Sequence, residues 1–216
     1  MLSAAMTDRA LFWNQIAEKY ARQPVANPDA FERKIAIHLG HIRPHHVALD
    51  IGCGTGSLAL RLAPFAAQVH GLDLSQEMIR IARDKAHQQA LENVSFEVGA
   101  LDASLTHFAP GSLDVVSAYS LLHLVEDRAQ ALAHMFALLK PGGVFVSSNV
   151  CLAESWIPYR PLLALMRALG KAPPATIFSR QTIEREIRAA GFVDLQQPDV
   201  GAGKMIAFVV ALKPQV

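Results

Sequence analysis

The chain has 216 residues, 51% of them hydrophobic, and a formal net charge of +1. This length and composition predict one domain with ample material for a core, and the balanced charge argues against a large nucleic-acid-binding surface. The two cysteines, Cys53 and Cys151, indicate neither a disulfide framework nor a metal site. We expect a cytoplasmic protein without stable membrane insertion, because no secretory signal pattern and no run of about 18 apolar residues is present.

Two helices are predicted ahead of the first strand. The first covers residues 7–23, and the second runs from Asn27, a good N-cap before a proline, to Gly40. Apolar side chains recur at helical spacing in both segments, which predicts that each helix buries one face. A metal site in the following turn is disfavoured, because no carboxylate or cysteine lies beside its three histidines. These are His41, His45 and His46.

The next pattern is a short apolar run, Val47–Ile51, followed by glycines at alternate positions. The glycines are Gly52, Gly54 and Gly56. The run fits a buried strand, and the glycines fit a tight turn, because glycine accepts positive φ and lets a ligand approach the backbone. The residues after the turn predict a helix with one apolar stripe. That stripe consists of Leu58, Leu62 and Phe65.

Two acids end two successive predicted strands beside these glycines. Asp50 lies at the end of the first strand, and Asp73 ends the run 68–73. Open α/β sheets bind ligands at the carboxyl ends of strands, where an acid on the second strand can accept both hydroxyls of a ribose. Asp73 can instead simply precede a helix that has Ser75 as its N-cap. The G-x-G-x-G spacing departs from the dinucleotide fingerprint at Ser57, which disfavours a dinucleotide.

The rest of the chain continues the alternation of strands and helices, with one interruption. Further strands are predicted over 94–98, 114–118, 144–148, 193–195 and 205–212. One helix is expected to end at a turn over 140–143, and another to begin at the N-cap Ser179 and end at Gly191. Residues 152–177 interrupt the alternation.

Several short motifs resemble those of the class I S-adenosylmethionine-dependent methyltransferases. Asp50–Gly56 resembles the first motif of that family, and Leu138–Gly143 is similar to its "LKPGG" turn. Further matches are Leu101–Ala103, in which Leu101 replaces the usual glycine, Ser112–Val116 and Ala189–Phe192. The resemblance implies an α/β fold with a doubly wound, Rossmann-like sheet. This sheet has seven mostly parallel strands in the order 3-2-1-4-5-7-6, and its last strand is antiparallel.

The resemblance also implies the domain organisation and the cofactor. We expect a single domain over 1–216, with an N-terminal helical cap at 7–40 and a lid insertion at 152–177. The cofactor is expected to be S-adenosylmethionine, and no metal is expected. The implied cofactor-binding residues are Tyr20, Asp50, Gly52, Cys53, Gly54, Thr55, Gly56, Asp73, Leu74, Met78, Asp102, Ala103, Ala118 and Tyr119.

The resemblance assigns roles to some of these residues, and two of the roles have alternatives. Asp50 is expected to face the methionine end of the cofactor. Tyr20 is expected near the same end, but it can instead pack under its own helix. In the family, an acid at the position of Asp102 accepts the exocyclic amine of adenine, although Asp102 can also belong to an ordinary turn.

Methyl transfer from a sulfonium does not require a catalytic side chain, because the methyl group is already activated and needs only to be held in line with a nucleophile. His123 is the nearest ionisable candidate for a base, although its apolar neighbours also suit structural packing. The acceptor is expected to be a small molecule. The reason is that no Asn/Asp-Pro-Pro-Tyr motif follows the fourth strand and no basic stripe is present.

The interruption at 152–177 is interpreted as the lid and wall of the acceptor pocket. Its predicted contact residues are Trp156, Tyr159 and Met166, and they favour an acceptor with an apolar part. A stripe at helical spacing comprises Leu162, Leu165, Met166 and Leu169. This stripe can instead pack on the sheet edge or dock on a membrane surface. Arg160 and Arg167 lie off the stripe.

Two other functions stay open from the sequence. One is a dinucleotide-dependent oxidoreductase, which is disfavoured by Ser57 and by the two strands predicted after Ala189–Phe192. The other is a non-catalytic protein that binds S-adenosylmethionine. Melting-temperature shifts with NAD and with S-adenosylmethionine separate the first from a methyltransferase, and turnover to S-adenosylhomocysteine separates the second.

Overall fold

The computed structural model describes residues 4–101 and 108–215. Within them, seven strands form one sheet in the order β3-β2-β1-β4-β5-β7-β6. The strands are β1 (Val47–Ile51), β2 (Gln68–Asp73), β3 (Val94–Val98), β4 (Leu113–Tyr119), β5 (Leu139–Val150), β6 (Val193–Gln196) and β7 (Ile206–Leu212). Strand β7 runs antiparallel to both β5 and β6, whereas the other neighbouring pairs are parallel. The predicted fold and strand order are confirmed.

Helices accompany the strands in the alternation that the sequence predicts. They are α1 (Ala4–Arg22), α2 (Pro28–Gly40), α3 (Ala59–Leu62), α4 (Gln76–Gln88), α5 (Arg128–Leu138), α6 (Tyr159–Ala168) and α7 (Arg180–Ala189). The predicted N-caps Asn27, Ser75 and Ser179 are confirmed, because each side-chain oxygen accepts the backbone N–H three residues later. Helices α2, α4 and α7 therefore begin where the sequence indicates.

The helices cover both faces of the sheet. On one face, Ile35 of α2 and Ile79 of α4 pack in a cluster with Val115 of β4. On the other face, Ile183 of α7 packs in a second cluster with Val116. Successive strand residues point to opposite faces, so the two neighbouring valines of β4 enter different cores. This arrangement leaves the carboxyl ends of β1, β2 and β4 as the place where loops can form a site.

The predicted apolar stripe after the glycines is wrong at its last member. Helix α3 ends at Leu62, a 3-10 helix follows over Ala63–Phe65, and the Phe65 side chain is exposed. Pro64 has no backbone N–H to continue the α-helical hydrogen bonds. The chain therefore tightens after Leu62, and this turns Phe65 away from the core.

The turn predicted over 140–143 is also different, because these residues lie inside β5. Leu139 pairs with Leu113, and Val144 pairs with Val115. Four residues of β5 therefore lie between these pairs, where β4 has only one. Lys140 Nζ contacts both carboxylate oxygens of Asp114, at 2.8 and 2.9 Å. This contact ties the looped-out residues to β4, and pairing continues on both sides of them.

Candidate functional site

The glycine turn begins directly at the end of β1. Gly52, Gly54 and Gly56 all have positive φ, between 53° and 79°. A Cβ atom on Gly56 would lie 2.9 Å from the Phe96 ring, whereas one on Gly54 would meet only Tyr20 at 4.0 Å. Gly56 is therefore needed for packing as well as for backbone conformation. Gly54 instead leaves open space above the turn, where a ligand can approach the backbone.

Asp73 holds this turn to the start of α4. One carboxylate oxygen accepts the backbone N–H of Gly54 at 2.9 Å, and the other accepts that of Ser75 at 2.9 Å. Burial raises the pKa of Asp73, and its hydrogen bonds to backbone N–H groups act in the opposite direction. Each carboxylate oxygen can accept a further hydrogen bond, so Asp73 retains acceptor capacity for two ligand hydroxyls.

Asp50 lies at the carboxyl end of β1, behind the glycine turn. Only 2% of it is exposed, and within the described residues its Oδ1 atom has no hydrogen-bond partner. Burial, and secondarily the negative charge of Asp73, raise the pKa of Asp50 to about 8. A buried carboxyl group with an unused acceptor is costly unless a ligand or water completes its hydrogen bonds. Its position and chemistry suit a positively charged ligand group.

Helix α1 brings Tyr20 to the same place. Asn14 Oδ1 accepts a hydrogen bond from Ser75 Oγ at 2.7 Å and one from the backbone N–H of Glu77 at 3.1 Å. These contacts fix α1 on the start of α4. The Tyr20 side chain is 46% exposed, and partial burial and the charge of Asp73 raise its pKa. Tyr20 therefore borders the open side of the glycine turn.

Other predicted cofactor residues contribute backbone or packing. Cys53 and Thr55 are buried, and Thr55 Oγ1 accepts a hydrogen bond from Lys85 Nζ at 3.0 Å. Burial is the main reason that the pKa of the Cys53 thiol is raised well above its usual value. Met78 is also buried, in a small cluster that fixes α1 on α4, while Leu74 is half-buried. The structure thus does not bring the Met78 side chain to the open side of the turn.

Ala118 and Tyr119 lie at the end of β4, and only Tyr119 reaches a polar group. Ala118 is completely buried in the second core. The Tyr119 hydroxyl lies 3.3 Å from His38 Nδ1, and His38 Nε2 lies 3.3 Å from Ser117 Oγ. Burial lowers the pKa of His38 to about 3, so the ring is neutral and joins the two hydroxyls. The sequence does not indicate this network, although His38 follows Ile35 by three residues on the apolar face of α2.

His123 lies in the 3-10 helix Leu122–Leu124, beyond β4. Burial lowers its pKa to about 4, and its Nδ1 atom has no hydrogen-bond partner within the described residues. The ring is neutral near pH 7, but its low pKa makes it a weak base. Its backbone oxygen accepts hydrogen bonds from the N–H and hydroxyl of Thr176, at 2.7 and 3.2 Å. His123 thus links the β4 loop to the segment that follows α6.

A cleft of about 530 Å³ lies between α1, the loop after β4, α6 and residues 173–177. Helix α6 lines it with four residues at i, i+3, i+4 and i+7: Arg160, Leu163, Ala164 and Arg167. Helical geometry places such residues on one face. The volume of the cleft lies in the range of small-molecule sites, and its walls are both apolar and charged.

The residues predicted to contact the acceptor are not among those that line this cleft. Trp156 is 92% exposed, and neither Trp156, Tyr159 nor Met166 lines this cleft. The predicted stripe of α6 is exposed at Leu162, Leu165 and Leu169, and α6 has no buried residue. The alternative that this stripe packs on the sheet edge is therefore wrong. The helical periodicity is real, but the residues off the stripe line the cleft.

Two further observations delimit the site. Asp102 and Ala103, predicted to bind adenine, lie outside the described residues. Among residues 4–101 and 108–215, no cluster of three metal-ligating side chains is present. The same part of the chain contains no helix with the length and apolar character needed to cross a bilayer.

Sequence comparisons identify what the chain is similar to. A family model for a methyltransferase domain matches residues 42–189. A demethylmenaquinone methyltransferase from Leptospira interrogans is 35% identical over 147 residues, covering 64% of this chain and 58% of that relative. A ubiquinone biosynthesis O-methyltransferase from Thiobacillus denitrificans is 39% identical over 111 residues, covering 50% and 47% respectively. The chain thus spans about half the length of these relatives.

Structural comparison identifies the same fold. Phosphoethanolamine N-methyltransferase 2 from Haemonchus contortus, in complex with phosphomonomethylethanolamine and S-adenosylhomocysteine, superposes with a TM-score of 0.76. The match covers 99% of this chain and 61% of that protein, at 19% sequence identity. The sheet order and the flanking helices therefore correspond to those of a methyltransferase structure.

Proposed function

The chain belongs to the class I S-adenosylmethionine-dependent methyltransferases, and we propose that it transfers the methyl group of this cofactor to a small-molecule acceptor with an apolar part. The observation that carries this proposal is the position of Asp73. It ends β2 and contacts the backbone of Gly54 in a turn with three positive-φ glycines. An acid at the end of β2 can hold a ribose, and the neighbouring glycine turn lets the ligand come close to the backbone.

The other residues fit the same cofactor. Asp50 offers a buried, unpaired acceptor to the positively charged methionine end, and Tyr20 borders that side of the turn. The space above Gly54 is open except for Tyr20. Asp102 and Ala103 are proposed to bind adenine, as the family pattern implies. The buried side chains of Cys53, Thr55 and Met78 support the loop and α1, and the turn offers its backbone to the cofactor.

When bound, the cofactor supplies a methyl group that is already activated by the sulfonium. The task of the protein is to orient that group, and correct orientation alone can lower a barrier by several kcal/mol. Asp73 and the glycine turn hold the nucleoside part, while the end of β4 faces the reacting side. The His123 ring is neutral and its backbone oxygen holds Thr176, which supports a structural role.

The acceptor side is proposed to be formed by the cap and the lid. The cap at 7–40 contributes α1, and the lid at 152–177 contributes α6 and the segment after it. Leu124, Leu163 and Ile177 give the cleft apolar walls, which support an acceptor with an apolar part. Two of the relatives are named for demethylmenaquinone and for ubiquinone biosynthesis, and this supports a small molecule.

Calorimetric titration with S-adenosylhomocysteine tests the cofactor site. Asp73→Ala removes the partner of both ribose hydroxyls and is expected to weaken binding by ~2–3 kcal/mol. Glu92→Ala, which removes an exposed acid away from the turn, is the matched control and should bind normally. The melting temperature of each unliganded variant separates lost contacts from lost folding. Equal affinity of the folded Asp73→Ala variant would contradict the site.

A further inference from the structure

The cleft face of α6 carries two guanidinium groups that the fold itself does not neutralise. Arg160 and Arg167 lie two helical turns apart on this face, with Leu163 and Ala164 between them. Among the ion pairs of the described residues, neither arginine takes part in one. Both side chains therefore present unused hydrogen-bond donors beside an apolar wall.

The opposite wall does not supply the missing negative charge. Among the described residues that line the cleft, Glu126 is the one acid, and it pairs with Arg9 of α1 at 2.7 Å. The Arg9 side chain is only 13% exposed, and its buried Nε atom has no hydrogen-bond partner within the described residues. With Arg9 neutralised by Glu126, the cleft keeps the two positive charges of Arg160 and Arg167.

We propose that the methyl acceptor carries an anionic group, a carboxylate or a phosphate, which binds to Arg160 and Arg167. The inference rests on the proposed function, since it names the acceptor class of the same enzyme. Guanidinium groups match such anions through paired, charge-assisted hydrogen bonds. Both arginines are exposed, so their donors are free to reach such a group without rearrangement of the core.

Helix α1 separates the anion site from the cofactor site. Tyr20 borders the glycine turn, whereas Arg9 lines the cleft eleven residues earlier in the same helix. At 1.5 Å per residue, this spacing is ~16 Å along the helix. The cleft at Arg9 is thus set apart from the glycine turn, and the proposed acceptor binds its anionic group away from the reacting methyl. An acceptor that reaches both places is elongated, with an apolar body between its anionic end and its nucleophile.

The acceptor class is tested on a metabolite extract of the source organism, separated by anion exchange near pH 8. Each fraction is incubated with the enzyme and S-adenosylmethionine labelled in the methyl group. Transfer is expected only to compounds that the exchanger retains. Loss of acceptor activity after phosphatase treatment identifies a phosphate monoester, and survival indicates a carboxylate or a phosphate diester. Transfer confined to unretained, neutral compounds would overturn the anionic acceptor while leaving the methyltransferase function supported. No transfer with any fraction would count against both.

Variants of the two arginines test the same inference with the retained acceptor. Arg160→Gln combined with Arg167→Gln is expected to lower kcat/KM about tenfold to a hundredfold. The loss should fall mainly on KM, because the anion is not part of the reacting centre and its contacts are the same in the ground state and the transition state. Arg185→Gln, on the exposed side of α7, is the control for the loss of a positive charge, and its kcat/KM should equal that of the wild type. Affinity for S-adenosylhomocysteine should stay within twofold. An unchanged KM, or an equal loss of cofactor affinity, would overturn the assignment.

Discussion

Helices α6 and α7 have the same length and similar amphipathic patterns, yet they relate to the rest of the protein in opposite ways. Helix α7 buries Ile183 and Ile187 completely in the second core. Helix α6 has no buried residue, and Leu165 in its apolar stripe is 59% exposed. Periodicity therefore identifies an amphipathic helix without identifying what its apolar face contacts. The contrast extends to the proposed site: Asp50 is buried behind the glycine turn, whereas α6 contributes only exposed or half-buried residues to the cleft.

The largest effect on the free energy of unfolding is expected from the titration of the buried Asp50 side chain. Folding raises the pKa of this carboxyl group from 3.8 to about 8. Its stabilising contribution is thus complete below pH ~4 and is lost as pH rises through about 8, because the unfolded chain ionises first. Asp50→Asn mimics the protonated side chain and does not titrate. Relative to this variant, the wild type should lose up to ~1.4 kcal/mol of stability per pH unit in that window.

Urea unfolding of the two unliganded proteins at about pH 5 and pH 8 measures this difference directly. We expect the free energy of unfolding of the Asn variant, relative to that of the wild type, to be ~2–4 kcal/mol greater at pH 8 than at pH 5. Titrating groups that do not interact with Asp50, including His38, contribute equally to both proteins and cancel in the comparison. A stability difference that is the same at both pH values would show that Asp50 is ionised in the folded protein.

Packing beneath the glycine turn gives the next largest effect. A Cβ atom on Gly71 of β2 would lie 2.4 Å from the Phe96 ring and 3.0 Å from Cys53 Sγ. Gly71→Ala therefore forces the ring or the turn to move, at an expected cost of ~1–3 kcal/mol in unfolding free energy. Gly40→Ala is the matched control, since a Cβ atom there meets no heavy atom within 4 Å. Equal stability of the two variants would contradict close packing under the turn.

The same contrast explains what the sequence could predict. The turn and its two acids were predictable because glycine, aspartate and short apolar runs act locally, within a few residues of Asp50 and Asp73. The strand order came from the family resemblance, because pairing between β5 and β7 joins residues about 60 apart and leaves no local signal. The position of His38 beside Tyr119 likewise depends on how α2 packs across the sheet.

The turn prediction that failed, and the cleft that the sequence did not indicate, both depend on contacts distant in sequence. The glycines of the Leu138–Gly143 motif predict a turn, but Asp114 holds Lys140 in place and β5 continues. In α6, the four-residue stripe was selected by its leucines and methionine. The residues that line the cleft are identified only once α1 and the segment after α6 close over the other face. An amphipathic pattern is set by residues close in sequence, whereas tertiary contacts decide which face of the helix lines the cleft.

The smallest expected effect is on the open side, at Trp156. Since its side chain is 92% exposed, Trp156→Ala should change the free energy of unfolding by less than ~0.5 kcal/mol. The residue does not line the cleft, so we also expect kcat/KM for the acceptor to stay within about threefold, far less than the loss from the arginine pair. Leu163→Ala, which shortens a cleft wall, is the positive control for the assay. If Trp156→Ala lowered kcat/KM tenfold while the fold stayed intact, the exposed face of the lid would have to close over the acceptor. The sequence prediction that Trp156 contacts the acceptor would then hold.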